Sequence, residues 1–299
     1  MNPILVRRAL VTKVLLRFLV THDIDNNVVR SNPCLWLLEQ HRDLKFVEAC
    51  GLEQNIFERV RTGDIATRDD PFDLSISIPV IAQLSGVAWS EDECMEHALR
   101  YLAMIEEVEQ QAGQFVFPGV LESLTTIAGY PQILQAALTD CPLWLAVLRL
   151  YYAGLLPKFQ AVAGVRTFVP DYMRGSKYWR VAETCVAWTE RKMAEKAEGV
   201  RLLLALDQES CKPSAAALLK MLQTDNFAPA NEVVVVMSGD KPKDGRVAEN
   251  IRPLVREAHF VHTRIAEHDP LKDGDPTPRL VIDRDFQEIL ALVTECIAA

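Results

Sequence analysis

Two aspartates stand directly after apolar runs, Asp240 after EVVVVMSG and Asp283 at the end of RLVID. In open α/β sheets ligands gather beyond the carboxyl ends of strands, where two carboxylates would hold Mg²⁺ or divide the work of acid and base. Three of the six histidines, His259, His262 and His268, fall close together near Asp269, Asp273 and Asp275. On a helix His259 and His262 would share a side, as metal ligands do, whereas on a strand they face opposite ways. Tight zinc or iron sites need three or four convergent ligands, and only two would be local, so the expectation is that no metal is held there. The aspartates also have an ordinary account. SGDKP reads as a turn, and Asp283 as the cap of a following helix. Capping is the favoured reading, and Asp240, His262 and Asp283 stand as candidates for a metal-assisted hydrolase or transferase.

A second constellation is electrostatic. Between residues 149 and 182 six basic side chains, Arg149, Lys158, Arg166, Arg174, Lys177 and Arg180, face one acid, Asp171, in a chain of net charge -9. The stretch also carries Tyr151, Tyr152, Phe159, Phe168, Tyr172, Tyr178 and Trp179. Basic groups neutralise phosphates and flat rings stack on unpaired bases, so Arg149, Lys158, Arg166, Arg174, Lys177, Tyr178 and Arg180 are the candidates for a single-stranded nucleic-acid groove. The competing account buries the rings in the core and pairs the cations with acids elsewhere.

Absent motifs narrow the chemistry. The phosphate-cradling patterns G-x-G-x-x-G and G-x-x-x-x-G-K-[ST] do not occur; Gly239 and Gly245 lie one residue too far apart and Arg246 follows. G-x-S-x-G, H-E-x-x-H, the EF-hand loop and the kinase signatures are also missing. No motif implies a cofactor, and the expectation is none.

The elements that must position these residues follow from pattern and punctuation. Ser90 and Glu93 form a capping box before the apolar series Cys94, Ala98, Leu102, Ile105 and Val108, which predicts a helix over 91–112. Helical periodicity also fits 4–20, 33–49, 51–61, 78–86, 120–128, 131–138, 143–153 and a long segment from Ser176 to Ala197. A further helix is launched by Pro213. After residue 228 the pattern turns β-branched: EVVVVM and RLVID read as buried strands, HFVHTRI as a third, and FQEILALVTECI as a helix. The fold class expected is mainly α: a multi-helical N-terminal domain over 1–228 with a small C-terminal α/β unit over 229–299.

Composition supports a globular chain: 299 residues, 49% hydrophobic and 24% charged, with 13 Gly and 16 Pro. Seven widely spaced cysteines, an odd number, read as reduced thiols and a cytoplasmic location. Residues 1–22 are basic and acid-free, which fits a buried first helix or, as the minority reading, a mitochondrial targeting segment. The apolar stretch 141–157 is interrupted by Arg149 and too short to span a bilayer. With little chemistry declared, the function expected is a non-enzymatic helical interaction or assembly protein: a scaffold, an adaptor or a repeating, self-associating subunit. A nucleocapsid-like protein built on 149–182 is the alternative, and the metal-assisted enzyme of the C-terminal unit the second.

Overall fold

The structure, a computed structural model, describes residues 15–61, 77–84, 86–169, 171–224, 227–263, 271–282 and 286–298. Among the described residues seven parallel strands form one sheet in the order β4-β3-β2-β1-β5-β6-β7. They are β1 (Phe18–His22), β2 (Ile133–Pro142), β3 (Ala161–Val165), β4 (Leu202–Leu206), β5 (Val234–Gly239), β6 (Glu257–Thr263) and β7 (Leu280–Ile282). The central strand β1 pairs Phe18 with Ile133 of β2 on one side and with Val234 of β5 on the other.

This corrects the mainly-α fold class. The protein is a Rossmann-like α/β fold whose sheet takes strands from both sides of residue 228. The reason lies in how parallel strands are buried. Val234 and Val236 of β5 pack on one face while Val235 and Met237 pack on the other, so both sides of the strand are apolar and the run is unbroken. In β5 the β-branched side chains announce this. In β2 and β3 the same two-faced burial is met largely by Leu, Ala, Gln and Gly, as in ILQAAL and AVAGV, and the partly buried edge strand β4 reads LLLAL. Leu, Ala and Gln favour helices, and an apolar run without alternation fits either period. Residues 131–138 and the end of 4–20, expected to be helical, are therefore strand.

Helices cover both faces. α5 (Val120–Ala128), α6 (Leu143–Tyr152) and α10 (Gln287–Ala298) pack one face through Leu124, Val147, Ile289 and Val293; α8 (Ala216–Leu222) and α9 (Pro242–Ile251) pack the other through Leu218, Met221, Val247 and Ile251. Each such fully buried Leu, Ile or Val contributes about 1.5–3 kcal/mol. A third apolar cluster lies in a helical insertion between β1 and β2. Its members are α1 (Trp36–Cys50), α2 (Ile56–Arg61), α3 (Ser77–Leu84) and α4 (Glu91–Glu109), which pack on Trp144 and Leu148 of α6 and on α7 (Trp179–Lys196). The capping box forms as expected: Glu93 N–H donates to Ser90 Oγ at 3.2 Å, and Ser90 N–H to Glu93 Oε2 at 2.8 Å. Among the described residues no helix is long and apolar enough to cross a membrane.

Candidate functional site

With β2 to one side of β1 and β5 to the other, the order of strand addition reverses at the centre of the sheet, and the loops leaving the carboxyl ends of these strands open a crevice. Asp23 is the first residue beyond β1. Its N–H donates to Ser238 O at 2.8 Å, which continues the β1–β5 pairing. The turn after it is tied down by Asn27, whose Nδ2 donates to Asp23 O at 3.0 Å and to Ser238 Oγ at 2.9 Å, and which accepts from Thr263 Oγ1 of β6. Asn26, between them, adopts a left-handed φ of 57°, a conformation Asn tolerates.

Three carboxylates converge here. One oxygen from each of Asp23, Asp240 and Asp244 lies within 4.8 Å of the others. Asp240 follows β5, and Asp244 stands in the first turn of α9 with Oδ2 accepting the Lys241 N–H at 3.0 Å. Gly239 makes that approach possible, since a Cβ there would lie 2.3 Å from Asp244 Oδ2. Lys212, in the loop between β4 and α8, reaches between the acids, 2.9 Å from Asp23 Oδ1 and 2.6 Å from Asp244 Oδ1. Its backbone N–H is fixed by Asp140 Oδ1 at 3.1 Å, and Lys243 pairs with the other oxygen of Asp140. Thr139, near the end of β2, is buried, and its Oγ1 accepts the Cys141 N–H at 3.1 Å.

The electrostatics leave this cluster over-supplied with negative charge. Burial pushes the Asp23 carboxyl up to about 8, with Asp244, Asp25 and Asp240 adding to the rise and Lys212 opposing it. Burial and Asp244 push Asp240 up to about 6. Burial alone would lower the Lys212 ammonium, but Asp23 and Asp244 outweigh it and hold it above its ordinary range. Asp240 Oδ1 is buried without a hydrogen-bond partner. Below the cluster His22 is fully buried and held neutral, its value lowered to about 3 by burial, with Nδ1 2.8 Å from Ser238 Oγ.

Asp23 and Lys212 face a cavity of about 500 Å³ whose lining also includes Asp25, Thr139, Lys241 and Lys243 at the carboxyl end of the sheet, Trp36, Glu39 and Arg42 from α1, and Tyr101 from α4. Of the residues singled out from sequence, Asp240 is in the cluster. Asp283 and His268 lie outside the described residues. His262, near the end of β6, is buried, with its ring 5.9 Å from Phe260. His259, three positions earlier on the strand, lies by the Arg279 guanidinium and Glu257. Asp23, Asp25, Asp244, Thr139 and Lys212 were missed. The available signal was Asp-Ile-Asp directly after the apolar FLVTH, which is the strand-end pattern already applied to Asp240.

The basic-aromatic candidates are dispersed. Arg149 is buried among carboxylates, and Tyr178 is buried with its hydroxyl donating to Val87 O at 3.1 Å. Arg174 pairs with Asp171, Lys177 donates to Trp89 O, and Arg180 lies 3.5 Å from Glu91. Lys158 is half-buried beyond α6, and Arg166 is exposed after β3.

No protein-family model matches the chain, and no curated protein matches it in sequence. Among solved structures it resembles a 2-haloacid dehalogenase from Pseudomonas syringae pv. Tomato DC3000, with 16% identity, a TM-score of 0.57, and 95% of this chain and 99% of that one covered. It also resembles a Thermotoga maritima protein assigned as a beta-phosphoglucomutase, with 14% identity, a TM-score of 0.51, and 93% and 98% covered. At such identities the likeness is one of fold. It nevertheless overturns the reading of a non-enzymatic helical scaffold or nucleocapsid-like subunit, which rested on a mainly helical fold, because the architecture shared over nearly the whole chain is α/β.

Proposed function

We propose that the chain is a cation-dependent phosphoester hydrolase with Asp23 as its nucleophile. The observation that carries this is the convergence of Asp23, Asp240 and Asp244 with Lys212 among them, where Asp23 and Lys212 line a cavity. An all-oxygen, multiply charged donor set suits a hard divalent cation of the magnesium type, and the unpartnered Asp240 Oδ1 and the raised carboxyls of Asp23 and Asp240 fit such an occupant. Bound there, the cation would neutralise charge on the phosphoryl oxygens of a substrate.

The chain's own groups supply the rest. Lys212 and the Ile24 N–H hold Asp23 Oδ1 at 2.9 Å each, which orients the carboxylate and leaves its second oxygen to attack phosphorus. Lys212 and the Thr139 hydroxyl stand at the cavity wall to receive phosphoryl oxygens. Asp25 lines the same cavity, two residues further along the loop and outside the trio. As the Asp23 oxygen bonds to phosphorus, the ester P–O bond breaks and Asp25 gives its proton to the departing oxygen. Water then bonds to phosphorus, the acyl-phosphate P–O bond breaks to restore Asp23, and Asp25 takes the water's proton.

Of the reactions named for the two neighbours, the trio favours phosphoryl chemistry, because displacing a halide involves no phosphoryl charge to neutralise. The test is hydrolysis of 4-nitrophenyl phosphate with Mg²⁺, with EDTA and in Asp23→Asn. Turnover that needs Mg²⁺ and Asp23 is expected. Cation-independent chloride release from 2-chloropropionate, with no phosphate released from the ester, would refute the assignment.

A further inference from the structure

Arg149 of α6 is buried with three carboxylates around it. Its Nε and Nη2 bind Glu109 Oε2 and Oε1 of α4 at 2.8 and 2.6 Å. Nη2 also donates to Glu39 Oε1 of α1 at 3.2 Å, and Nη1 to Asp25 Oδ1. The Glu109 side chain is 0% exposed and that of Arg149 4%. A guanidinium held two-pronged by one carboxylate forms a neutral pair with three of its five N–H donors to spare. Its remaining donors reach Asp25 and Glu39, two partly exposed carboxyl groups that Arg149 does not need for its neutralisation. What is gained is a fixed Asp25: Arg149 takes its Oδ1 and leaves Oδ2 as the oxygen for proton exchange. Because Glu39 and Glu109 belong to the helical insertion and Asp25 to the β1 loop, one side chain joins the seating of the insertion to the placement of the acid.

We propose that Arg149 is a positioning residue that sets Asp25 for proton transfer to the leaving oxygen and makes that transfer depend on the docking of α1 and α4. The inference rests on the reading of Asp23 and Asp25 given above. Its test compares two esters, glycerol 2-phosphate, whose alkoxide leaves only with a proton, and 4-nitrophenyl phosphate, whose phenolate leaves without one. Arg149→Lys keeps a charge beside Glu109 but cannot make the same set of bonds. In this variant kcat/KM, which reports the first transfer, is expected to fall about 100-fold for glycerol 2-phosphate and less than about 3-fold for 4-nitrophenyl phosphate, with the Mg²⁺ dissociation constant unchanged. Glu39→Gln, at a partly exposed position, should show the same selective loss in weaker form. Equal losses on both esters would overturn the inference by marking Arg149 as a folding residue, as would no loss on either. A wild-type chain that hydrolyses neither ester overturns the phosphoesterase reading itself, and this inference with it.

Discussion

Replacing Gly239 with alanine sets two effects of opposite sign against each other. Gly239 ends β5 with an ordinary negative-side backbone, so alanine there restricts the unfolded chain and stabilises by about 0.4–1 kcal/mol if nothing collides. The new methyl would, however, lie 2.3, 2.4 and 2.6 Å from Oδ2, Cγ and Cβ of Asp244, where ordinary contact begins near 3.4 Å. Asp244 must therefore retreat by on the order of 1 Å, and with it go the 2.6 Å bond to Lys212 and the 3.0 Å bond from the Lys241 N–H. Overpacking of this kind costs about 1–3 kcal/mol, and each charge-assisted bond lost adds about 1.5–3 kcal/mol. The collision wins by a few kcal/mol. Thermal unfolding of the Gly239→Ala protein in EDTA should show a Tm lower by on the order of 5 °C, and calorimetric titration should show Mg²⁺ binding weakened about 10- to 100-fold. A raised Tm with unchanged Mg²⁺ affinity would refute the close approach of Asp244 and, with it, the geometry of the cluster.

Other outcomes follow from the same charges. Lys212→Met removes the cation between Asp23 and Asp244, so Mg²⁺ should bind more tightly while kcat falls at least about 100-fold; titration calorimetry and steady-state kinetics read the two separately. Asp23 carries a carboxyl pushed up to about 8 from an ordinary 3.8, so between these values the folded state binds the extra proton. Its contribution to metal-free stability is greatest in acid and is lost as the pH climbs through 8, at up to about 1.4 kcal/mol per unit; denaturant titrations across that window check it. Mg²⁺ binding at pH 7 should accordingly expel protons, seen as a binding enthalpy that depends on the buffer. Ser90→Ala should cost about 1 kcal/mol in thermal unfolding by loss of the α4 cap, with activity unaltered.

What could be read from sequence tracked the distinctiveness of the local chemistry. Helix α4 was legible from a capping box and a clean apolar stripe, and β5 from four consecutive valines. β1 to β4 were not, because their residues satisfy a helical period as readily as a buried strand, and only the pairing of distant segments decides between them. The site inherited that blindness. Asp240 stood out because its strand did, whereas Asp23 and Asp25 follow a strand mistaken for the end of a helix. Lys212 shows no local signal at all: its carboxylate partners lie in the β1 loop and the first turn of α9, which only the sheet order brings together.

The placement of β1 also bears on how the protein is made. Phe18 is synthesised before both of its partners, Ile133 and Val234. At translation rates of about 5–20 residues per second, β1 waits on the order of 10–40 s before β5 leaves the ribosome. For that interval an apolar strand, the one that carries the proposed nucleophile, has at least one open edge, a template for pairing with other chains. The four helices inserted after it pack largely against one another and can form a core in the meantime. The carboxylate cluster thus cannot exist on any nascent chain that still lacks β5 and α9, and it is their arrival that assembles the site.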